Sequence, residues 1–262
     1  KLVDYVSDKY KVTKAAAMRL FLPSEMRRRT VVEKTVEFLS FNDALSYEQS
    51  LDSLGKAAKS QRAALEKVRS VGKIRASALR SEFGNGAVKQ LIEKGFIISE
   101  KTEICRIPYS EMISSDKSVD LVPAQRNAIE SICETKKTVT LVFGVTGSGK
   151  TEVYLELIKR AIERGKTAIM LVPEISLTPQ MLKQLRGRFN ELCAILHSGL
   201  SAGERFDEWR RLRSGEAKIA IGARSAIFAP VENVGIIIID EEHDGSYESE
   251  SSPRYSTFDV AE

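Results

Sequence analysis

Apolar and polar positions in the second half of the chain follow two alternating patterns. Short runs rich in Val, Ile and Leu, typical of buried strands, are separated by segments whose apolar residues recur at helical spacing. The predicted order is helix 123–133, strand 138–143, helix 151–162, strand 167–172, helix 178–189, strand 192–196, helix 202–212, strand 217–221 and strand 236–240. Strands that alternate with helices predict an α/β fold with a doubly wound parallel sheet.

The first half of the chain has a different pattern. Residues 1–22 are predicted to form one amphipathic helix that ends at Pro23, and residues 30–40 have strand character. Three short helices are expected at 60–69, 73–82 and 87–94, and residues 95–107 alternate like a β-hairpin or wing. Three helices and a wing predict a winged-helix DNA-binding domain. A three-helix protein-docking module is the alternative.

These patterns divide the chain into three parts. Residues 1–29 are interpreted as a linker helix, residues 30–110 as the winged-helix domain and residues 111–262 as the α/β domain. The polar segment 110–120 marks the boundary between the second and third parts.

A glycine-rich loop stands between a predicted strand and a predicted helix. The sequence GVTGSGKT at residues 144–151 matches G-x-x-x-x-G-K-[ST] in full. Backbone N–H groups of such a loop, with the N-terminus of the following helix, bind nucleotide phosphates. The expected nucleotide-binding residues are Gly144, Thr146, Gly147, Ser148, Gly149, Lys150 and Thr151. Lys150 would reach the β- and γ-phosphates, and the Thr151 hydroxyl would ligate Mg²⁺. The motif predicts a P-loop NTPase lobe.

An acidic pair follows the last predicted strand, in IIIIDEEH at residues 236–243. Four consecutive isoleucines predict a fully buried central strand. Asp240 and Glu241 would then lie at the carboxyl edge of the sheet, where open α/β folds bind ligands. One carboxylate, Asp240, would hold Mg²⁺, and the other, Glu241, would orient the attacking water. Lys150, Asp240 and Glu241 are therefore the candidate catalytic residues.

Composition indicates an ordinary globular protein with 42% hydrophobic and 29% charged residues. No apolar run of membrane-spanning length and no signal peptide are present, so we expect a cytoplasmic protein. Three cysteines without a CxxC pair do not indicate a zinc site or a disulfide framework. The chain does not begin with Met, which suggests part of a longer protein.

Charge is distributed unevenly along the chain. Residues 1–115 carry 21 Lys and Arg against 14 Asp and Glu, whereas residues 116–262 carry 19 against 22. Within the basic half, residues 56–80 hold eight basic residues and a single acid, Glu66. Such a bias favours contact with nucleic acid, and a solvated helical face is the alternative.

Four further segments together resemble one family. They are LVPEISLTPQ at 171–180, LHSGLSAGERFDEW at 196–209, GARSAIFAP at 222–230 and DEEHDGSY at 240–247. The combination resembles the PriA family of bacterial replication-restart helicases, within helicase superfamily 2. The resemblance runs from about Leu121 to the end and extends more weakly to the winged-helix region. The opening segment, residues 5–27, resembles the stretch where that family leaves its N-terminal 3′-end-binding domain.

The resemblance implies roles for further residues. Gln125 lies where the superfamily reads adenine with a glutamine, and His243 would couple the state of ATP to the DNA side. Thr178, Arg224 and Ser225 are candidate contacts to DNA phosphates, and Tyr247 and Tyr255 could stack on unpaired bases. For the histidine, a structural role is the alternative. For the tyrosines, anchoring of a loop in the core is equally open.

The resemblance implies a RecA-like lobe. It also implies that this lobe belongs to an ATP-dependent 3′-to-5′ DNA helicase, which restarts replication and assembles the primosome at stalled forks. The implied cofactors are ATP and Mg²⁺, with zinc only in the full-length family. The implied partners are forked DNA with single-strand/double-strand junctions, primosome proteins and single-strand-binding proteins, with no membrane. We expect the fragment to lack a second lobe and its arginine finger, and to be inactive alone. A related branch-migration translocase and a replisome-loading scaffold with secondary ATPase are alternatives.

Overall fold

The computed structural model describes residues 1–23, 26–27, 31–55, 57–108, 120–145 and 147–262, which fall into two units. Unit A comprises residues 1–32 and 106–262, and unit B comprises residues 33–105. The division differs from the predicted one at the N-terminus, because residues 1–32 belong with the α/β domain. The predicted boundary segment 110–120 lies almost wholly outside the described residues. Within those residues, no helix is both long enough and apolar enough to cross a membrane.

A four-stranded parallel sheet forms the centre of unit A, as the strand–helix alternation predicted. Its helices are α1 Leu2–Lys9, α2 Lys14–Phe21, α7 Pro123–Glu134, α8 Lys150–Glu163, α9 Pro179–Phe189, α10 Ala202–Ser214 and α11 Thr257–Ala261, and its strands are β4 Thr167–Leu171, β5 Cys193–Leu196, β6 Ile219–Gly222 and β7 Val234–Ile239. The strand order is β5-β6-β4-β7. In register, Ala168 of β4 pairs with Ile219 of β6 and with Ile236 of β7.

Alternate residues of the strands pack on opposite faces of this sheet, which confirms the doubly wound architecture. On one face, Ala168 and Met170 contact apolar side chains of α8 and α9. On the other face, Ile169 and Leu171 belong to a core that includes Leu212 of α10 and residues of α1 and α2. Because side chains of a strand alternate between faces, a continuous apolar run here is buried from both sides.

The predicted strand 138–143 is not a strand in the structure. Val139, Leu141 and Phe143 are 68%, 72% and 93% exposed, and their segment joins no sheet among the described residues. A β-branched run has strand propensity, but a strand forms only where a neighbour supplies backbone partners. The expectation of a strand directly before the glycine loop was therefore wrong.

The isoleucine strand β7 also differs from its prediction. It lies at the edge of the described sheet and pairs only with β4 there. Of its four isoleucines, Ile238 is buried and the others are half-buried. Full burial was predicted because a central strand has a neighbouring strand on each side. Among the described residues, β7 has only one neighbouring strand, β4.

The N-terminal segment is two helices rather than the single predicted helix. The chain turns between α1 and α2, where Lys11 adopts a left-handed φ of 52°. The Thr13 hydroxyl then caps α2 by accepting a hydrogen bond from the N–H of Ala16 at 3.2 Å. Ser, Thr, Asp and Asn are favoured at this position because their side chains satisfy a free N–H group. A capping threonine inside an amphipathic run is the signal that the single-helix prediction missed.

Unit B combines helices with a small antiparallel sheet. Its elements are β1 Thr35–Phe41, α3 Tyr47–Asp52, α4 Lys59–Val71, β2 Lys73–Arg75, α5 Ala76–Phe83, α6 Asn85–Glu93 and β3 Ile97–Glu103. The strand order is β2-β1-β3, and the buried core includes Leu39, Leu65, Leu79 and Leu91. The three predicted helices are present as α4, α5 and α6. The predicted hairpin at 95–107 is one strand, β3, which pairs with β1 instead of folding back on itself.

Candidate functional site

The glycine-rich loop has a backbone that only glycine accommodates easily. Gly147 and Gly149 adopt left-handed φ values of 79° and 80°, and α8 begins directly after the loop at Lys150. A Cβ atom on Gly149 would lie 2.3 Å from Nε2 of Gln125, and one on Gly144 would lie 2.8 Å from Oγ of Ser148. The loop is thus a tight turn that delivers the chain into a helix N-terminus. Thr146 lies outside the described residues.

The only lysine of the loop is folded over it. Nζ of Lys150 donates to the carbonyl oxygens of Gly144, at 2.7 Å, and Val145, at 3.3 Å. Thr151 follows in the first turn of α8, where the helix N–H groups lack partners within the helix. A tight glycine-rich turn, an ammonium group and a helix N-terminus form a donor set that fits the phosphates of a nucleotide.

Gln125 links the helix before the loop to the loop itself. Its Oε1 accepts a hydrogen bond from the N–H of Val122 at 2.9 Å, and its Nε2 donates to the carbonyl of Gly149 at 3.2 Å. The structure therefore brings Gln125 to the glycine loop. Its expected contact with adenine stays a prediction.

The acidic pair is connected to the same helix that begins at Lys150. The Tyr154 hydroxyl, one turn into α8, donates to Oδ1 of Asp240 at 3.2 Å. The Asp240 N–H donates to the carbonyl of Leu171 at 2.9 Å, which extends the pairing of β7 with β4 by one residue. Asp240 is thereby held at the carboxyl end of the sheet, beside the helix that carries the lysine and Thr151.

Glu241 has an unusual backbone for its residue type. Its φ is 47°, in the left-handed region that non-glycine residues seldom occupy. Residues held in such conformations occur often at ligand sites. His243, 75% exposed, places Nδ1 3.5 Å from a carboxylate oxygen of Glu242 and 3.9 Å from one of Glu241. The histidine expected to couple ATP and DNA therefore lies among the carboxylates that follow β7.

Burial and nearby carboxylates affect two tyrosines at this site. The pKa of Tyr154 is raised far above its ordinary value by burial, and the charge of Asp240 adds to the effect. Burial likewise raises the pKa of Tyr247, whose hydroxyl donates to the carbonyl oxygen of Asp240 at 2.7 Å. Both hydroxyls therefore remain protonated hydrogen-bond donors up to a higher pH than an ordinary tyrosine.

The residues expected to contact DNA occupy segments that follow β4 and β6. The hydroxyl of Thr178 accepts from the N–H of Met181 at 3.3 Å and caps α9, and Ser225 is exposed. Nη1 of Arg224 donates to the carbonyls of Ser246, at 3.1 Å, and Glu248. Because β4 and β6 are adjacent and parallel, both segments leave the same edge of the sheet.

The two tyrosines expected to stack on bases are buried here. Tyr247 is 1% exposed and Tyr255 is 3% exposed. The Tyr255 ring packs edge-on against Phe228 with centroids 4.9 Å apart, and the Arg224 guanidinium lies 5.7 Å from its centroid. These are the contacts of residues that anchor a loop in the core, which was the second interpretation of the sequence.

Comparison with known proteins places this geometry in a family. The model of the DEAD/DEAH box helicase family matches residues 122–257, more than half of the chain. The chain belongs to the DEAD/DEAH box helicase family. The matched region contains the glycine loop, the acidic pair and the segments that follow β4 and β6.

Individual relatives agree with the resemblance found in the sequence motifs. Replication restart protein PriA of Bacillus subtilis is 48% identical over 187 residues, which cover 70% of this chain and 23% of that protein. PriA of Synechocystis is 41% identical over 177 residues, covering 67% and 21%. PriA of Haemophilus influenzae is 39% identical over 188 residues, covering 69% and 26%. The predicted resemblance to the PriA family is confirmed, and the chain spans about a quarter of the length of these relatives.

Within this helicase-family lobe, Tyr154 is the site residue that the sequence interpretation missed. It belongs with Leu155 and Ile158 to the apolar positions of α8 that pack on the sheet. A tyrosine at helical spacing among the apolar positions of a helix is interpreted from sequence as a core residue. Only the fold reveals that its hydroxyl reaches a carboxylate 86 positions further along the chain.

Proposed function

We propose that this chain is the first ATPase lobe, with an attached winged-helix DNA-binding domain, of an ATP-dependent 3′-to-5′ DNA helicase that restarts replication at stalled forks. The contact between Tyr154 and Asp240 carries the ATPase part of the proposal, because it joins the helix of the glycine loop to the acidic strand end. ATPases of this class need those two elements to share one nucleotide and its metal. Similarity to PriA proteins supports the assignment to replication restart.

Each residue of the site has a distinct role in ATP hydrolysis. Lys150 and the backbone N–H groups of the loop bind the phosphates, and Gln125 reads the adenine. Thr151 and Asp240 would hold Mg²⁺, which would neutralise charge on the phosphates. Glu241 orients the attacking water and polarises it. This arrangement supplies positioning and electrostatic stabilisation, which provide most of the catalysis in phosphoryl transfer.

The DNA side of the proposal uses the segments that follow β4 and β6. Thr178, Arg224 and Ser225 contact phosphates of one strand without reading its sequence. His243 couples the acidic pair to that side, and Tyr247 and Tyr255 anchor the loop that Arg224 contacts. Forked DNA is the proposed substrate, and primosome and single-strand-binding proteins are the proposed partners, in the cytoplasm.

Replacing Lys150 in the full-length protein tests the ATPase assignment. Lys150→Ala should reduce DNA-stimulated ATP hydrolysis by at least about 100-fold, a loss typical of removing one preorganised donor to developing charge. DNA binding, measured by fluorescence anisotropy with forked and linear DNA, should be largely retained. Lys159→Ala is the matched control, since Lys159 lies on the same helix and, among the described residues, forms ion pairs only with Glu156 and Glu163 on the surface of that helix.

Two outcomes would overturn parts of this proposal. An active Lys150→Ala enzyme would exclude the motor assignment. Replisome reloading that survives Lys150→Ala would favour the loading scaffold, in which ATP turnover is secondary. The 262-residue chain alone should bind nucleotide weakly and hydrolyse it slowly, because an arginine finger from a second lobe contributes about 10³–10⁵ in rate.

A further inference from the structure

Asp240 is held at several atoms by neighbouring groups. The Tyr154 hydroxyl donates to Oδ1 at 3.2 Å, and the Tyr247 hydroxyl donates to the backbone carbonyl at 2.7 Å. The Asp240 N–H is paired with Leu171 of β4. The second carboxylate oxygen, Oδ2, accepts no hydrogen bond from the described residues. One oxygen of the carboxylate is therefore fixed by the protein, and the other retains its full capacity to accept.

The position of Tyr154 allows its hydroxyl to fix the orientation of the Asp240 carboxylate. It is 7% exposed and packs in the core between α8 and the sheet, together with Leu155, Ile158 and Met170. A buried aromatic ring with two side-chain torsions has little freedom, so its hydroxyl occupies one position relative to α8. The same helix carries Lys150 and Thr151 in its first turn. Through Tyr154, the orientation of Asp240 is tied to the position of the phosphate-binding residues.

We propose that Tyr154 is a positioning residue that sets the orientation of the Asp240 carboxylate for the divalent cation of the bound nucleotide. The inference rests on the proposed function. Groups that hydrogen-bond to a metal ligand fix its geometry, and their loss typically reduces metal affinity by 10–100-fold. Tyr154 would act through Asp240, to which its hydroxyl is bonded, rather than by contacting the phosphates or the metal itself.

Tyr154→Phe, in the whole chain, removes the hydroxyl and keeps the ring. The measurement is the Mg²⁺ concentration needed for half-maximal binding of a fluorescent ATP analogue, mant-ATP. We expect this concentration to rise by about tenfold, while mant-ATP binding in EDTA and the thermal unfolding midpoint stay near wild type. Tyr10→Phe is the matched control, because it also removes a hydroxyl bonded to a carboxylate, Oδ2 of Asp259 at 3.0 Å, and Tyr10 packs against the core on the face of the sheet opposite α8.

A double-mutant cycle separates positioning from a general loss of structure. If Tyr154 acts through Asp240, Tyr154→Phe should cause no further change in Mg²⁺ requirement in an Asp240→Asn background. Independent, additive effects of the two substitutions would overturn the inference, as would an unchanged Mg²⁺ requirement in Tyr154→Phe alone. If mant-ATP binding by the wild-type chain does not depend on Mg²⁺, the proposed function is overturned, and the inference with it.

Discussion

At the scale of single residues, the candidate site depends on backbone shape as much as on side-chain chemistry. Gly149 illustrates this, because residues with a Cβ atom seldom adopt its φ of 80°, and a Cβ there would lie 2.3 Å from Nε2 of Gln125. The left-handed conformation alone costs an alanine about 1 kcal/mol. The neighbouring glutamine adds a steric clash to that cost. The two effects can be separated, because another glycine in unit A has a left-handed φ but no side chain close enough to clash with a Cβ atom.

We predict that Gly149→Ala weakens nucleotide binding strongly, whereas Gly165→Ala does not. Gly165 also has a left-handed φ, 72°, but a Cβ there would meet nothing within 4 Å. Both variants should lose about 1 kcal/mol of unfolding free energy from the backbone conformation. Only Gly149→Ala should displace Gln125 and the loop, with a loss of mant-ATP affinity of at least about tenfold, equivalent to 1.4 kcal/mol. Equal affinities in the two variants would contradict a role for the tight Gly149 contact.

At the scale of elements, sequence patterns predicted best where local periodicity and tertiary packing agree. Helices α8, α9 and α10 and strands β4, β5 and β6 were all predicted, since their apolar positions match their buried faces. The segment 138–143 was wrongly predicted to be a strand, because strand formation depends on a neighbouring strand that no local pattern reveals. The acidic pair was found from its position after an apolar run. Its link to Tyr154 was not, because the two are distant in sequence.

The contact of Arg224 with the segment 246–256 is a second element-scale feature that sequence did not reveal. A single guanidinium donates to the carbonyls of Ser246 and Glu248 and lies over the Tyr255 ring. It thus connects the short 3₁₀ helix Arg224–Phe228, which follows β6, to the chain that follows the acidic pair. A phosphate bound by Arg224 would compete with those carbonyls, so DNA contact and loop position are expected to depend on each other.

We predict that Arg224→Ala loosens the segment 246–256. Hydrogen exchange of its amides should accelerate by about tenfold, since a charge-assisted hydrogen bond contributes about 1.5 kcal/mol and 1.4 kcal/mol is a factor of ten. Amides in β4 and β6 should exchange as in the wild type. Arg213→Ala is a suitable control, because the only ion pair of Arg213 within the described part of the chain is an exposed one, with Glu232 at 3.2 Å. Unchanged exchange in the segment would show that Tyr247 and Tyr255 hold it without the arginine.

At the scale of the whole molecule, the two units change the interpretation of the charge distribution. Unit B has 12 Lys and Arg against 10 Asp and Glu, whereas residues 1–32 of unit A have eight against three. Most of the basic excess of the N-terminal half therefore belongs to unit A. Within the described residues of unit B, four basic residues of the run 56–80 form ion pairs with acids, through Lys67–Glu82, Arg69–Asp43, Lys73–Glu100 and Arg80–Glu37.

These ion pairs distinguish basic residues that could bind the phosphates of DNA from those that are already paired with a carboxylate. Arg75, exposed on β2, has no ion pair with the described residues, whereas Arg80 holds both carboxylate oxygens of Glu37 at 2.8 and 3.1 Å. Each cation that neutralises a phosphate releases a counterion, so its loss reduces the slope of log affinity against log salt by about 1. A cation committed to a carboxylate contributes little to that slope.

We therefore predict that Arg75→Ala weakens binding of the whole chain to duplex DNA and reduces the salt slope by about 1. Arg80→Ala should leave the slope unchanged and lower the unfolding free energy by no more than about 1 kcal/mol, the range of partly exposed ion pairs. Anisotropy titrations from 50 to 200 mM salt would measure both slopes. If neither substitution changes the slope, the DNA-binding role proposed for unit B is not supported at β2, and the basic segment 1–32 becomes the expected site of the electrostatic contact.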